Sequence, residues 1–187
     1  MAKAKRKSNG SRKSNGGSRR RGQSSSQDAI SLLKSDHREV EGWFEQFEKA
    51  RTEERKVELA EKICNALKVH TTIEEEIFYP AFLEATDDTD VHHEAEVEHE
   101  GAKKLIAAIE EAGPDDYFDA RLSVLSEMIK HHVNEEEMRD GMFAKARASE
   151  MDLERLGDQM MSRKKELMGA GRSGKSFPES LRSGATR

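Results

Sequence analysis

The stretch His-Thr-Thr-Ile-Glu at residues 70–74 has a counterpart 62 residues later, His-Val-Asn-Glu-Glu at residues 132–136. A single histidine lies 33 residues before each stretch, His37 before the first and His99 before the second. The chain therefore contains two copies of one pattern, and each copy ends in a histidine and a glutamate four residues apart. In a helix, side chains four residues apart lie on one face. The repeat predicts a duplicated pair of helices that carries six polar side chains.

Outward from this repeat, apolar residues recur every three to four positions, as in helices with one buried face. Predicted helices cover roughly residues 28–50, 53–84, 90–112 and 115–147, and a short fifth helix covers roughly 149–168. Their stripes contain the repeated histidines and glutamates. The stripes are Ile30, Leu33, His37, Val40, Phe44 and Phe47; Ile63, Leu67, His70, Glu74, Ile77 and Ala81; His92, Ala95, His99, Ala102, Ile106 and Ile109; and Leu122, Leu125, Ile129, His132 and Glu136.

Local signals predict where these helices begin and end. Thr52 is the expected N-cap of the second helix, and Pro80 is expected to kink or fray its last turn. Gly113-Pro114 is expected to end the third helix. Ser149, with Asp152 three residues later, resembles a cap for the fifth helix.

Short connections between four long helices predict an all-α fold, an antiparallel up-down-up-down four-helix bundle with a short extra C-terminal helix. At 1.5 Å per residue, His37 and His99 lie about 20 Å before the ends of their helices, and His70 and His132 lie at a similar depth in the next ones. The six candidates therefore share one level of the bundle. They are His37, His70, Glu74, His99, His132 and Glu136. The predicted domain organisation is a bundle at 28–147, a short helix at 148–169, and disordered tails at 1–27 and 170–187.

The charge distribution separates a basic tail from an acidic body. Residues 1–27 contain nine Lys or Arg and no acid, whereas residues 28–169 contain 36 Asp or Glu against 19 Lys or Arg. Both termini are too polar to bury much apolar surface, which predicts disorder. The composition of the basic tail predicts at most weak, salt-sensitive binding to nucleic acid, because the tail has no aromatic residues to stack on bases. A solubilising tail that folds back on the acidic body is the preferred interpretation.

Cysteine content and hydropathy indicate the cellular compartment of the protein. Cys64 is the only cysteine, so no internal disulfide can form, and this suits a reducing cytosol. The sequence contains no run of 18 apolar residues, so no membrane span is predicted. The N-terminus lacks the apolar region of a secretory signal. The sequence predicts a cytoplasmic protein.

Histidine and glutamate are costly on a buried stripe unless they pair with each other or bind metal. Each His-x-x-x-Glu pair can offer an imidazole to one ion and a carboxylate to a second. Four imidazoles and two carboxylates favour two iron ions bridged by Glu74 and Glu136, ahead of manganese or zinc. His131 also precedes a glutamate by four residues, but the phase of the stripe favours His132. The remaining glutamates of runs 74–76 and 135–137 are expected to be solvated, and Tyr79 is a candidate hydrogen-bond donor at the site.

Four segments together resemble the hemerythrin family, specifically its bacterial branch of HHE cation-binding domains. The segments are Asp36-His37-Arg38, residues 70–80, Glu98-His99-Glu100 and residues 131–137. The resemblance covers roughly residues 28–147. It implies a non-haem di-iron centre with an oxo or hydroxo bridge. It further implies a role in reversible O2 binding, in sensing oxygen or related oxidants, or in iron handling.

The chain departs from the pattern of the oxygen-carrying members at two positions. They have a further histidine one turn before His99, where this chain has Ala95, and an aspartate in a longer spacing where it has Glu136. The vacated coordination position is expected to be open, to hold water or to be taken by Glu96. This disfavours simple oxygen carriage and favours redox or peroxide chemistry or iron handling.

Two other classes of protein compete with this hypothesis. A ferritin-like oxidase is disfavoured because that architecture uses Glu-x-x-His, the reverse order. From a different class, the chain is a metal-free or zinc-stapled stress or interaction module whose basic tail contacts nucleic acid. Enzymatic turnover is left open, with weak peroxide or iron-oxidation chemistry as its form. A sensing role would require a separate protein partner.

Overall fold

A computed structural model describes Met1 and residues 27–171 of the 187-residue chain. Apart from their margins, the predicted tails at 1–27 and 170–187 lie outside these residues. All regular secondary structure in the described part is helical, and none of its helices is long and apolar enough to cross a membrane. The helices are α1 (Ala29–Lys49), α2 (Glu53–Ile73), a π-helical turn (Glu74–Phe78), α3 (Tyr79–Thr86), α4 (Thr89–Ala112), α5 (Phe118–Glu137), α6 (Met142–Ala148) and α7 (Leu153–Gly171).

Four helical rods form the bundle. α1 packs against α2 and α5, and α4 packs against the same two neighbours, so the rods close into a ring. Short connections between successive helices give the antiparallel order. The predicted all-α four-helix bundle is confirmed, and α7 packs across α1, α2 and the π-helical turn as the additional helix.

Two apolar clusters fill the bundle, one on each side of a polar layer. The first, around Phe44, Ile63, Ile106 and Leu122, occupies one end. The second, around Leu33, Phe78, Phe82, Phe143 and Met160, occupies the other and includes residues of α6 and α7. Along α1, His37 separates Leu33 of one cluster from Val40 of the other. The polar layer is therefore sealed between apolar surfaces.

The helix termini follow local chemistry. The Thr52 side chain accepts a hydrogen bond from the backbone N–H of Arg55, as expected of the N-cap of α2. Gly113 ends α4 with φ of 64°, a left-handed conformation that glycine adopts without steric cost. For α7 the predicted cap is displaced, because Asp152 itself accepts from the backbone N–H of Arg155 and the helix begins one residue later.

The prediction for the region after Glu74 was wrong in phase. Periodicity places Ile77 and Ala81 in the core, but Phe78, Tyr79 and Phe82 are buried instead. The cause is the π-helical turn, in which the Tyr79 N–H donates to the Glu74 carbonyl five residues earlier. Pro80 follows at the start of α3, and the helix continues through the proline without fraying. The wider turn moves the apolar stripe by one residue.

The predicted fourth helix was too long. Its expected span of 115–147 is broken, since α5 ends at Glu137 and the chain turns through residues 138–141 into α6. This turn brings Gly141 close to the end of α5. A Cβ atom at Gly141 would lie 2.1 Å from the Glu135 carbonyl oxygen and 2.8 Å from that of Glu136. Only a glycine fits against the end of α5 without displacing the backbone. Sequence periodicity continues across this break and therefore does not reveal it.

Replacement of Gly141 by alanine tests this close approach. We expect Gly141→Ala to lower the free energy of unfolding by about 2–4 kcal/mol, because its Cβ meets backbone atoms that cannot rotate away. Circular dichroism during thermal and urea unfolding measures the change.

Gly42→Ala is the matched control. Gly42 lies within α1, and a Cβ atom added to it would have no atom within 4 Å, so alanine should stabilise the chain by roughly 0.5–1 kcal/mol through helix propensity. Equal effects of the two substitutions would contradict the steric explanation.

Candidate metal centre

The six side chains singled out by the repeat lie together in the polar layer. Glu74 has no exposed surface, and the other five residues are at most 5% exposed. Two of the six come from α5, and one each comes from α1, α2, the π-helical turn and α4. They are His37, His70, Glu74, His99, His132 and Glu136.

The four imidazoles form two pairs with their Nε2 atoms facing inward. The Nε2 atoms of His37 and His70 are 3.1 Å apart, and those of His99 and His132 are 3.2 Å apart. Two nitrogen lone pairs at this separation repel unless a proton or a cation lies between them. Donors each about 2.1 Å from a shared ion have separations of this size.

Each buried glutamate faces both histidine pairs. Glu74 Oε2 lies 3.2 Å from His70 Nε2 and 3.4 Å from His99 Nε2. Glu136 Oε2 lies 3.4 Å from His37 Nε2 and 3.7 Å from His132 Nε2. One oxygen of each carboxylate is therefore placed between the pairs.

The hydrogen bonding of these carboxylates is incomplete. Neither oxygen of Glu74 and only one oxygen of Glu136 has a hydrogen-bond partner among the described residues. A buried carboxylate without partners is strongly destabilised, so the arrangement calls for positive charge in the layer. Imidazole and carboxylate donors that converge in this way suit the coordination of a metal ion.

The outward Nδ1 atoms of the histidines face a ring of carboxylates, one from a neighbouring helix for each. Nδ1–O distances are 2.8 Å for His37–Glu137, 2.9 Å for His99–Glu75, 2.7 Å for His132–Glu98 and 3.6 Å for His70–Asp36. The first three are hydrogen bonds. An Nδ1–H that donates outward leaves the Nε2 lone pair free to bind metal, and the carboxylate orients the ring.

The prediction that Glu75 and Glu137 are simply solvated was therefore wrong. Lys103 donates to Glu75, Arg38 donates to Glu137 and Lys34 forms an ion pair with Glu137, so cations hold both carboxylates in place. A sequence signal was present, because each carboxylate of the ring is adjacent in sequence to one of the six buried residues. Glu75, for instance, follows Glu74 in sequence but forms its hydrogen bond with His99 on another helix. Periodicity alone could not reveal that pairing.

The contribution of α7 to the site has no counterpart among the sequence predictions. Lys164 of α7 donates a hydrogen bond to Asp36, whose second oxygen faces His70 Nδ1. Arg163 pairs through two nitrogens with Glu76 on the π-helical turn. The additional helix thus fixes two acidic side chains next to the buried layer.

Tyr79 lies on the side of the site where the sequence lacks one of the expected ligands. Its hydroxyl lies 3.1 Å from His99 Nε2 and donates to Glu136 Oε1 at 3.3 Å. Of the alternatives for the position beside Ala95, Glu96 does not fit, because its side chain is 54% exposed and faces His92. Ala95 instead packs in the same apolar cluster as Tyr79.

The remaining aromatic and histidine residues take other positions. His131 is exposed, whereas His132 is buried, so the phase of the stripe correctly predicts which of the two faces the core. The ring of His92 packs edge-on against Tyr79 with 6.0 Å between centroids. Phe143 of α6, which sequence reasoning did not single out, stacks on His37 at 5.9 Å.

The chain is similar to known proteins in sequence and in fold. The model of the hemerythrin HHE cation-binding domain family matches residues 28–145. The fold is similar to the crystal structure of a hemerythrin HHE cation-binding domain-containing protein from Mycobacterium kansasii, with a TM-score of 0.66 and 23% sequence identity. The similarity covers 85% of this chain and 94% of that one, and at this identity it shows the fold alone. No curated protein sequence matches the chain.

Burial and neighbouring charges shift the pKa values of the buried groups in opposite directions. Burial lowers the pKa of His37 to about 4, and His70 adds to the effect. Burial would also lower the pKa of His70, but Glu74 and Asp36 outweigh it and raise the value to about 10. Burial and the charge of Glu74 raise the pKa of Glu136 to about 8. At neutral pH a metal ion must therefore displace protons from this layer.

Protein stripped of metal should lose thermal stability as the pH rises from 6.5 to 8. The folded-state pKa values of Glu136 and His70 are above their ordinary values of 4.5 and 6.5, and together they outweigh the lowered pKa of His37, so over this interval the folded chain binds more protons than the unfolded chain. The stabilisation from these protons is complete below the unfolded pKa and is lost as the pH rises through the folded pKa. Melting temperatures recorded by circular dichroism across this interval measure the trend.

Two glutamate variants provide the comparison. Glu136→Gln should flatten the pH dependence, while Glu127→Gln, at an exposed position of α5, should leave it unchanged. A melting temperature that is constant or rises between pH 6.5 and 8 would show that the buried groups do not hold these protons.

Proposed function

The chain belongs to the hemerythrin HHE cation-binding family, and from that premise we propose that it binds two iron ions and uses them to bind or sense O2 or a related oxidant. Redox or oxidative-stress responses and iron handling are the processes in which such a centre would act. The observation that carries the proposal is the placement of both buried glutamates between two pairs of inward-facing histidines.

The residues for two neighbouring ions follow from this placement. His37 and His70 would hold one ion, and His99 and His132 would hold the other. Glu74 and Glu136 would bridge them, because each already faces both pairs. Nitrogen and carboxylate ligands without thiolates suit iron, with manganese and zinc as the alternatives. Iron bound there would supply the capacity to bind oxygen and to exchange electrons with an oxidant.

The chain's own residues prepare the site for that chemistry. The outer carboxylates fix the orientation of the imidazoles and increase the basicity of Nε2. Apolar side chains on both sides exclude water, and Phe143 covers the ring of His37. Such exclusion strengthens every electrostatic interaction inside the layer.

The surroundings of His99 favour oxidant chemistry or sensing over simple oxygen carriage. The chain has Ala95 where the oxygen carriers have a further histidine, and the Tyr79 hydroxyl lies on the same side of the site. Tyr79 is positioned to donate a hydrogen bond to a small molecule bound near Glu136. Burial and the charge of Glu74 raise the pKa of the Tyr79 hydroxyl well above its ordinary value, so the tyrosine keeps its proton for that role.

Metal analysis combined with visible spectroscopy tests the proposal. Protein purified without oxygen should contain about two iron ions per chain, and its exposure to air should produce new visible absorption bands. Bound zinc without such bands would indicate a zinc-stapled module instead. Protein that binds no metal under these conditions would support a metal-free interaction module.

His132→Ala should abolish the paired centre. The variant removes one nitrogen donor and leaves Glu98 without its hydrogen-bond partner, so we expect at least one iron per chain to be lost together with the visible bands. Iron content and absorption after air exposure measure the loss.

His93→Ala is the control, since His93 is an exposed histidine on α4. It should retain the iron content and spectrum of the wild type. Retention of both by His132→Ala would show that His132 is not a ligand.

Lys164→Met tests the contribution of α7. Without the lysine, Asp36 loses the donor that holds it beside His70, so the affinity for iron should fall by about 10-fold or more. Competition with a chelator, followed by absorption, measures the affinity. Lys164→Arg should restore part of it.

Lys165→Met is the matched control on the same helix, because Lys165 is exposed. Its affinity should equal that of the wild type. If both methionine variants retain that affinity, α7 does not position the ligands.

A further inference from the structure

A second group of metal-ligating side chains lies outside the buried centre, at the surface between α4 and α5. His131 Nε2 is 3.1 Å from Glu135 Oε1 and 3.3 Å from Glu98 Oε1. The three ligand atoms all lie within 4.8 Å of one another. We propose that Glu98, His131 and Glu135 form an outer site for a divalent transition-metal ion, distinct from the buried pair of ions.

The geometry of this group exceeds what hydrogen bonding needs. A ring nitrogen carries at most one hydrogen and so cannot donate well to two carboxylates at once. Two carboxylate oxygens nevertheless converge on His131 Nε2. Ligands each about 2.1 Å from one ion are separated by roughly 3.0–3.4 Å, which matches these distances. His131 and Glu135 lie one helical turn apart, so both reach the same point from α5.

Within the described part of the chain, Glu98 is the carboxylate of the ring that has no lysine or arginine partner. Lysine or arginine side chains pair with Glu75, Glu137 and Asp36. Among the described residues, the ion-pair partners of Glu98 are only His131 and His132, and Glu135 pairs only with His131. Glu94 adds a further negative charge that acts on Glu135. A bound divalent cation would supply the positive charge that lysine or arginine supplies elsewhere.

Glu98 links the outer site to the buried centre. Its Oε2 accepts a hydrogen bond from His132 Nδ1 at 2.7 Å, while its Oε1 faces His131. The outer site is open to solvent, with 64% of the His131 side chain exposed. A cation bound there would be separated from the buried donors only by the Glu98 carboxylate and the His132 ring. The site concentrates divalent ions such as ferrous iron or zinc beside the centre, since one nitrogen and carboxylate oxygens suit ions of this class.

Zinc titration of the full chain, purified with its metal and followed by isothermal calorimetry at pH 7.5, tests the outer site. The wild type should bind one more Zn2+ per chain than His131→Ala, or bind that equivalent at least about 10-fold more tightly. Glu135→Gln should show the same loss. Glu111→Gln, at an exposed position of α4 outside the group, should bind zinc like the wild type.

Iron measured in the same samples separates this site from the proposed di-iron centre. Iron content should be equal in the wild type and His131→Ala, because His131 lies outside the buried layer. If the buried layer took zinc instead of iron, it would do so in both proteins, and their difference would still report the outer site. Equal zinc stoichiometry and affinity in the two proteins would overturn the proposal, as would loss of the additional equivalent in Glu111→Gln but not in His131→Ala.

Discussion

Two carboxylates without access to solvent share the middle of the bundle with four imidazoles, and the rest of the structure accommodates them. Glu74 has no exposed surface and Glu136 has 2%, yet three of their four oxygens lack hydrogen bonds within the described part of the chain. Isolated charges at such depth are prohibitively costly, so cationic or protonated neighbours must compensate. Protons on imidazole or carboxyl groups can do so in part, whereas metal ions would satisfy both carboxylates and the paired nitrogens together. The six side chains are therefore interdependent.

The backbone near this layer departs from regular helix where the site needs it. The π-helical turn that begins at Glu74 brings Tyr79 onto the face of that glutamate, so the same helical segment provides both the carboxylate and the hydroxyl. Beyond Glu136, the chain returns through Gly141 and places Phe143 over His37. π turns widen a helix locally and are frequent at functional sites. Both irregularities bring aromatic side chains to a layer that straight helices would leave less covered.

Charge is arranged in concentric shells around the buried layer. Inward nitrogens face the two glutamates, outward nitrogens face the carboxylate ring, and lysine or arginine side chains stabilise most of that ring. Opposite charges alternate outward, which keeps each shell stable in a partly desolvated environment. Glu98 breaks the order because His131 takes the place of a lysine or arginine. At that one position the outermost shell contains metal-ligating groups.

Much of this site was predictable from the sequence. Helical periodicity and short connections determined the bundle, the six buried side chains and their common level, because axial position depends only on the rise per residue and the helix lengths. The same phase distinguished His132 from His131. The π-helical turn, the return at Gly141 and the roles of Glu75 and Glu137 were decided by tertiary structure. Asp36 and Lys164 are 128 residues apart, and Glu98 meets His131 from another helix. Such pairings depend on which helix faces touch, and periodicity within a single helix contains no information about its neighbours.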